Sequence, residues 1–203
     1  MTTMNDARQL GHWGRTIFIA ACALAAMGAL WQLHADWPHW LAVIAPAVLW
    51  HAGALWLERR SAYSDSNDVI LAFGDGVLIG LWIALAHFNL LASAVMLLLL
   101  VHSAYALHSA RHAVLGVAGA IAGLAASGLI TLFAMHYPVG TPAVVGSLAG
   151  LAVYLAAQGI ATARLLHTLA RKEQMLTVLR RVDALTGFFG RAYWNDLAAR
   201  LFH

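Results

Sequence analysis

Residues 141–182 read TPAVVGSLAGLAVYLAAQGIATARLLHTLARKEQMLTVLRRV. Thr141 is a fit N-cap and Pro142 a fit first helical residue, and no Pro or Gly falls between Ile160 and Thr186 to stop a helix once it has started. An apolar span from Ala143 to Ala163 runs directly into the charged stretch that begins at Arg164. The pattern predicts one rod, roughly 60 Å long at 1.5 Å per residue. That is about twice the ~30 Å hydrocarbon thickness of a bilayer, so the rod crosses the membrane and continues into water.

The rest of the chain agrees with that setting. Of its 203 residues, 62% are hydrophobic and 10% are charged, against about 25% charged residues in a soluble domain. The mean hydropathy is +0.73. This composition excludes an ordinary soluble enzyme. Six apolar spans can be read, at Thr16–Leu33, Trp40–Leu57, Val69–Phe88, Leu90–Leu107, Ala113–Met135 and Ala143–Ala163, each near the ~20 residues that a transmembrane helix needs. The first fourteen residues hold no apolar core of a signal peptide, so the first span is expected to be retained as a membrane helix. Pro46 is expected to bend the second span. Cys22, the single cysteine, lies within an apolar run and reads as buried filler, with no disulfide framework possible.

Charge fixes the expected orientation. The twelve cations are Arg8, Arg15, Arg59, Arg60, Arg111, Arg164, Arg171, Lys172, Arg180, Arg181, Arg191 and Arg200. With six spans, all of them fall at the N-terminus, in the second or fourth loop, or after the last span. By the positive-inside rule both termini are cytoplasmic. The pI near 9.4 therefore reflects topology, and no nucleic-acid partner is expected. Trp31, Trp37, Trp40 and Tyr137 mark an outer aromatic belt, Trp13 and Trp56 an inner one. The outer loops are too short to form an extracellular binding domain.

Small residues predict close helix packing. Gly119, Gly123 and Ser127 recur every four residues in span five, as do Gly146 and Gly150 in span six. Such ladders serve packing within one bundle or a dimer seam, with the bundle the simpler reading. Asp75 sits in the cytoplasmic half of span three, where an ionised carboxylate costs about 2.5–3.5 kcal/mol and must find a partner. His51 in span two and His102, beside Ser103, in span four come to the same half by residue count. A cluster of His51, Asp75 and His102 has three readings: a hydrogen-bonded plug that fixes helix register, a sensing site answering to protonation or a small ligand, or a haem or metal site. Which metal, if any, the residues leave unknown.

Past the rod the chain reads DALTGFFGRAYW from Asp183 to Trp194. This resembles the opening of a GGDEF domain, the catalytic domain of bacterial diguanylate cyclases, through Asp183, Leu185, Thr186, Gly187 and Arg191, with Tyr193 and Trp194 as the aromatics. Gly190 stands where that family has the Asn that helps hold the guanine base, and Ala192 where it usually has a second Arg. No Gly-Gly-Asp-Glu-Phe or Gly-Gly-Glu-Glu-Phe loop follows before His203. The expectation is a chain without the catalytic part, cofactor-free itself, cut from a parent cyclase that uses GTP and Mg to make cyclic di-GMP.

Six helices with tiny outer loops, followed by such an opening, resemble the membrane-associated sensor family two (MASE type 2), which precedes diguanylate cyclase domains and, less often, cyclases of the adenylate type. The likeness rests on Trp50-His51 at the place of a family Pro-His, on Arg60, and on Asp75 followed by Gly-Val-Leu-Ile-Gly-Leu-Trp82. It implies an all-α polytopic membrane protein of the bacterial inner membrane. Its parts would be a cytoplasmic N-terminus over 1–15, a six-helix sensor domain over 16–163, a signalling helix over 164–182 and the start of a GGDEF domain over 183–203. The lipid bilayer and a second copy of the chain are the expected partners, and the sensed ligand is unknown.

A heptad frame on the signalling helix puts Leu165, Lys172 and Leu179 at one core position and Thr168, Met175 and Val182 at the other. A dimeric coiled coil and an amphipathic helix on the lipid surface both fit. From other classes, a small transporter or channel, a haem-binding membrane protein, or a purely structural anchor would share the six spans.

Overall fold

The computed structural model describes residues 2–60, 65–107, 109–132, 135, 138–181, 194, 198 and 201. Side chains of residues 2–12, 58–60, 65, 66, 106, 107, 130 and 174–181 are not among them. Asp183, Leu185, Thr186, Gly187 and Arg191 lie outside the described residues, as do His136 and Tyr137.

Six helices follow in order: α1 (Thr2–Gln32), α2 (Trp37–Arg60), α3 (Asp65–Leu85), α4 (Leu90–Leu107), α5 (Ala110–Ile130) and α6 (Thr141–Arg181). Candidate membrane spans are Trp13–Gln32, Trp37–Leu57, Asn67–Leu85, Ala110–Leu129 and Thr141–Glu173, and α4 carries the shorter apolar stretch Leu90–Tyr105. The protein is an all-α polytopic membrane fold whose last helix is the longest. The helix boundaries differ from the sequence expectation mainly at the start of α1, which begins near the N-terminus well before Thr16. At α6 the cap is one residue earlier than expected, since the Val144 N–H bonds the Gly140 carbonyl at 3.1 Å. α5 stops at Ile130, short of Met135, where Leu132 turns left-handed at φ 51. α2 passes through Pro46 as one helix.

The chain divides into two units, Met1–Ala157 and Gln158–His203. In the first, the core is built by α1, α3 and α4: Phe18, Cys22, Ala25, Ala29 and Leu30 meet Ile79, Trp82 and Ile83, with Met96, Leu99 and Leu100 from α4. Long apolar side chains also face outward on every helix, among them Leu41, Val48 and Leu49 on α2 and Val114, Ile121 and Leu129 on α5. In water such a surface would drive aggregation; in lipid it is the solvated face. Trp31 and Trp37 at one end, and Trp13, Trp56 and Tyr105 at the other, are exposed as interfacial belts require.

Glycine welds two helix pairs. A Cβ at Gly76 or Gly80 of α3 would overlap the carbonyl oxygens of Gly116 and Ala120 on α5, and a Cβ at Gly119 or Gly123 would overlap those of Phe73 and Val77. The residue numbers rise together, so α3 and α5 run parallel. A Cβ at Gly146 would come 2.6 Å from the Leu24 carbonyl oxygen, one at Gly28 would come 2.6 Å from that of Pro142, and one at Gly150 would overlap that of Ala21. Here the numbers run oppositely, so α1 and α6 are antiparallel. Both directions are those that six alternating membrane crossings demand.

The second unit holds the C-terminal part of α6. Leu165, Leu166 and Leu169 are exposed there, as are Thr168 and Lys172 of the heptad frame. The Thr168 hydroxyl donates to the Arg164 carbonyl at 2.8 Å.

Candidate functional site

The Gly74-Asp75-Gly76 triplet on α3 shows how a carboxylate is fitted into a membrane helix. A Cβ at Gly74 would overlap the indole ring of Trp50 from α2, so Gly74 makes the bed on which that ring lies. Gly76, on the other side, admits the backbone of α5. Asp75, between them, accepts from the Trp50 indole N–H through Oδ1 at 2.7 Å and from Arg15 Nε of α1 through Oδ2 at 3.1 Å. Arg15 and Asp75 are only 7% and 8% exposed. The pair neutralises two charges that lipid would reject, and each oxygen of the carboxylate has its donor.

Beside this pair lies a cleft of about 20 Å³, lined by Arg15, Phe18, Ala72, Asp75, Leu100, Ser103 and Ala104. It has room for about one water molecule and none for a drug-sized ligand. The Ser103 hydroxyl donates within its own helix to the Leu100 carbonyl at 3.0 Å.

Of the two histidines expected beside Asp75, His102 meets a different partner. His102 is exposed on α4 and its Nδ1 is 2.8 Å from the hydroxyl of Tyr154 on α6, with the rings edge to face at 5.6 Å. Tyr154 is itself fully buried. His51 is half-buried on α2, next in sequence to Trp50. Asp75 is therefore joined by Arg15 and Trp50, and Ser103 instead of His102 faces its cleft. Among the described residues no group of three His, Cys, Asp or Glu side chains is placed to hold a metal.

A second polar centre closes the opposite end of the bundle. Gln32, the last residue of α1, donates from Nε2 to the Pro138 carbonyl at 2.6 Å and accepts at Oε1 from the Gly140 N–H at 2.7 Å. The same oxygen lies 3.5 Å from Asn89 Nδ2. Asn89, 2% exposed, also caps α4 through Oδ1 and the Ala92 N–H at 3.3 Å. The turns around this centre are tight. At the end of α1 the Ala35 N–H bonds the Leu30 carbonyl and the His34 N–H that of Trp31, and α3 ends the same way through Phe88, His87, Ile83 and Ala84. Both are Schellman closures, with a histidine, φ 50 and 49, where glycine is usual. Arg15 and Gln32 are seventeen residues apart on one helix, about 25 Å, so the two polar centres sit near the two faces of a ~30 Å hydrocarbon layer.

Residues 12–98 match the MASE2 domain. The matched segment contains Arg15, Gln32, Trp50, Asp75 and Asn89, the side chains that build both polar centres, and is consistent with a multi-helix membrane domain of a kind associated with sensing. It ends within α4, before α5, α6 and the Asp183–Trp194 stretch. No curated protein and no solved structure matches the chain.

Sequence reasoning found Asp75 and the glycines of α5 and α6 but passed over Arg15, Trp50 and Gln32 as participants. Arg15 counted only as a topology marker. The signal for it was the unpaired carboxylate itself, since the nearest cation at a span edge on an adjacent helix is the economical partner for Asp75. For Trp50 the signal was the Gly74 that precedes Asp75. Gln32 carries no comparable signature.

Proposed function

We propose that this chain is the membrane sensor module of a bacterial signalling protein, that it works as a homodimer with both termini in the cytoplasm, and that it controls a cytoplasmic diguanylate cyclase. The observation that carries the reading is α6: one helix from Thr141 to Arg181, leading from a bundle that includes a MASE2 segment towards the Asp183-Ala-Leu-Thr-Gly sequence. In this reading Asp183, Leu185, Thr186, Gly187 and Arg191 form the junction with the catalytic head, which binds GTP and Mg. The Arg15–Asp75–Trp50 centre is the sensing element. Protonating Asp75, or displacing Arg15 from it, removes the charge balance that holds α1 and α2 against α3, and the helices then settle in a new arrangement.

The test is a fusion of residues 1–203 to a competent GGDEF domain in place of any natural one, with cyclic di-GMP as readout. Asp75→Asn is expected to change output severalfold at unchanged membrane level. Equal output from Asp75→Asn, the parent fusion and an unrelated dimeric membrane anchor would reduce the domain to an anchor. A periplasmic reporter active at His203 would overturn the topology.

A further inference from the structure

The two glycine-welded pairs, α1/α6 and α3/α5, touch each other differently from the way their own members touch. Within each pair backbone meets backbone: a single methyl group at Gly28, Gly146 or Gly150, or at Gly76, Gly80, Gly119 or Gly123, has no room. Helices so close cannot slide without first separating, because each carbonyl sits in the notch left by a missing side chain. Between α1 and α3, contact is thinner. α3 lies along α5 far more extensively than along α1, and α4 packs on both α1 and α5. α4 meets that interior with Met96, Leu99 and Leu100, long side chains that repack by changing rotamer.

Across this seam two polar ties are present, one at each end. Arg15 of α1 grips Asp75 of α3. Gln32 of α1 already holds the start of α6 through Gly140, and the same amide oxygen receives Asn89 from the α3–α4 turn. Each tie is a hydrogen bond between two single side chains, which exchange partners readily, whereas the glycine seams are continuous surfaces.

We propose that the seam between the α1/α6 pair and the α3/α5 pair is the joint along which this membrane domain changes shape, with Arg15–Asp75 and Gln32–Asn89 as its inner and outer latches. The pairs move as rigid bodies, α4 repacks between them, and α6 follows α1. A stimulus acting at either latch then biases the same movement. The inference concerns the membrane domain alone and does not depend on which output domain follows.

Spin-label distances in lipid nanodiscs test it. In a Cys22→Ala background, labels at Trp31 and Val145, both exposed, report the α1/α6 pair, and labels at Trp31 and Leu129, also exposed, report across the seam. Both latches are opened with Arg15→Met, Asp75→Asn and Gln32→Leu together; the side-chain amide then left at position 75 still accepts from Trp50. The expected result is a shift or broadening of about 2 Å or more across the seam, the size of an ordinary helix displacement, with the within-pair distance unchanged. An unchanged seam distance overturns the proposal. So does equal broadening of both distances, since the pairs would then not be rigid. If the triple variant fails to insert, Asn89→Ser opens the outer latch alone while keeping a helix cap for α4, and the same two outcomes decide.

Discussion

α2 and α3 have nearly the same length and oiliness, yet the fold treats them as opposites. Their apolar stretches cover 21 and 19 residues at mean hydropathies of 1.6 and 1.9, but over an 18-residue window of each 11% is buried in α2 against 56% in α3. Hydrophobicity cannot account for this, because lipid tails solvate leucine as well as a protein interior does. Shape and polarity do. α3 carries Gly76 and Gly80 where α5 needs backbone contact, and Asp75 where a carboxylate needs donors. α2 turns Leu41, Ile44, Val48, Leu49 and Trp56 to the lipid and reaches Asp75 through the indole N–H of Trp50. In this membrane protein a helix becomes central by being notched and charged, and peripheral by being smooth.

Removing the feature that both helices share should cost most. Asp75→Ala removes the carboxylate that Arg15, buried with it, is paired to, and takes the acceptor from Trp50. Breaking one side of a buried ion pair costs about 3–5 kcal/mol. Unfolding of the purified protein in mixed micelles by increasing SDS should show a loss in that range, and a loss below ~1 kcal/mol would mean that the pair does not hold α3 in place.

A notch on α3 comes next. Gly76→Val drives side-chain atoms into the Gly116 carbonyl of α5, a backbone group with no rotamer to escape into. Overpacking of this kind costs about 1–3 kcal/mol, and the value should lie at the upper end. In the same assay Trp50→Phe, which keeps the ring over Gly74 and deletes the N–H, should cost about 1 kcal/mol, the scale of single polar contacts in membranes. If Trp50→Phe were the more damaging, α2 would be fastened as firmly as α3 and the contrast would fail.

These residues also show what the sequence made legible. Six helices, their alternating directions and the glycine ladders of α5 and α6 follow from composition and four-residue spacing, because length and small-residue periodicity are properties of one chain segment. Asp75 stood out for the same reason: a carboxylate in an apolar run is anomalous by itself. Its partners were only hinted at, by a span-edge cation and by Gly74, since pairing Arg15 or Trp50 with Asp75 needs the rotation of three helices about their axes, which span counting does not supply. Equal depth put His51 and His102 beside Asp75; helix rotation sent His102 to Tyr154 instead. The Gln32 centre was hidden more deeply, because Gln32 acts through backbone groups of Pro138 and Gly140, which leave no trace in residue type.

The smallest expected effect is the most discriminating. Gly53 lies on α2, and a Cβ built there meets nothing within 4 Å, so Gly53→Ala enters open space while reducing the backbone freedom of the unfolded helix. Helix propensity alone favours alanine by about 0.5–1 kcal/mol, and in a bilayer, where helices persist on unfolding, the gain should fall near or below the low end. The expected outcome is a neutral to slightly stabilised protein, measured alongside Gly80→Ala, in which the same methyl group overlaps the Ala120 carbonyl and must destabilise. Opposite signs for one chemical change at two helical glycines would assign the cost to the notch and not to glycine itself. A clear loss at Gly53 would instead place an occupant against the outer face of α2, and that helix would no longer be the smooth one of the pair.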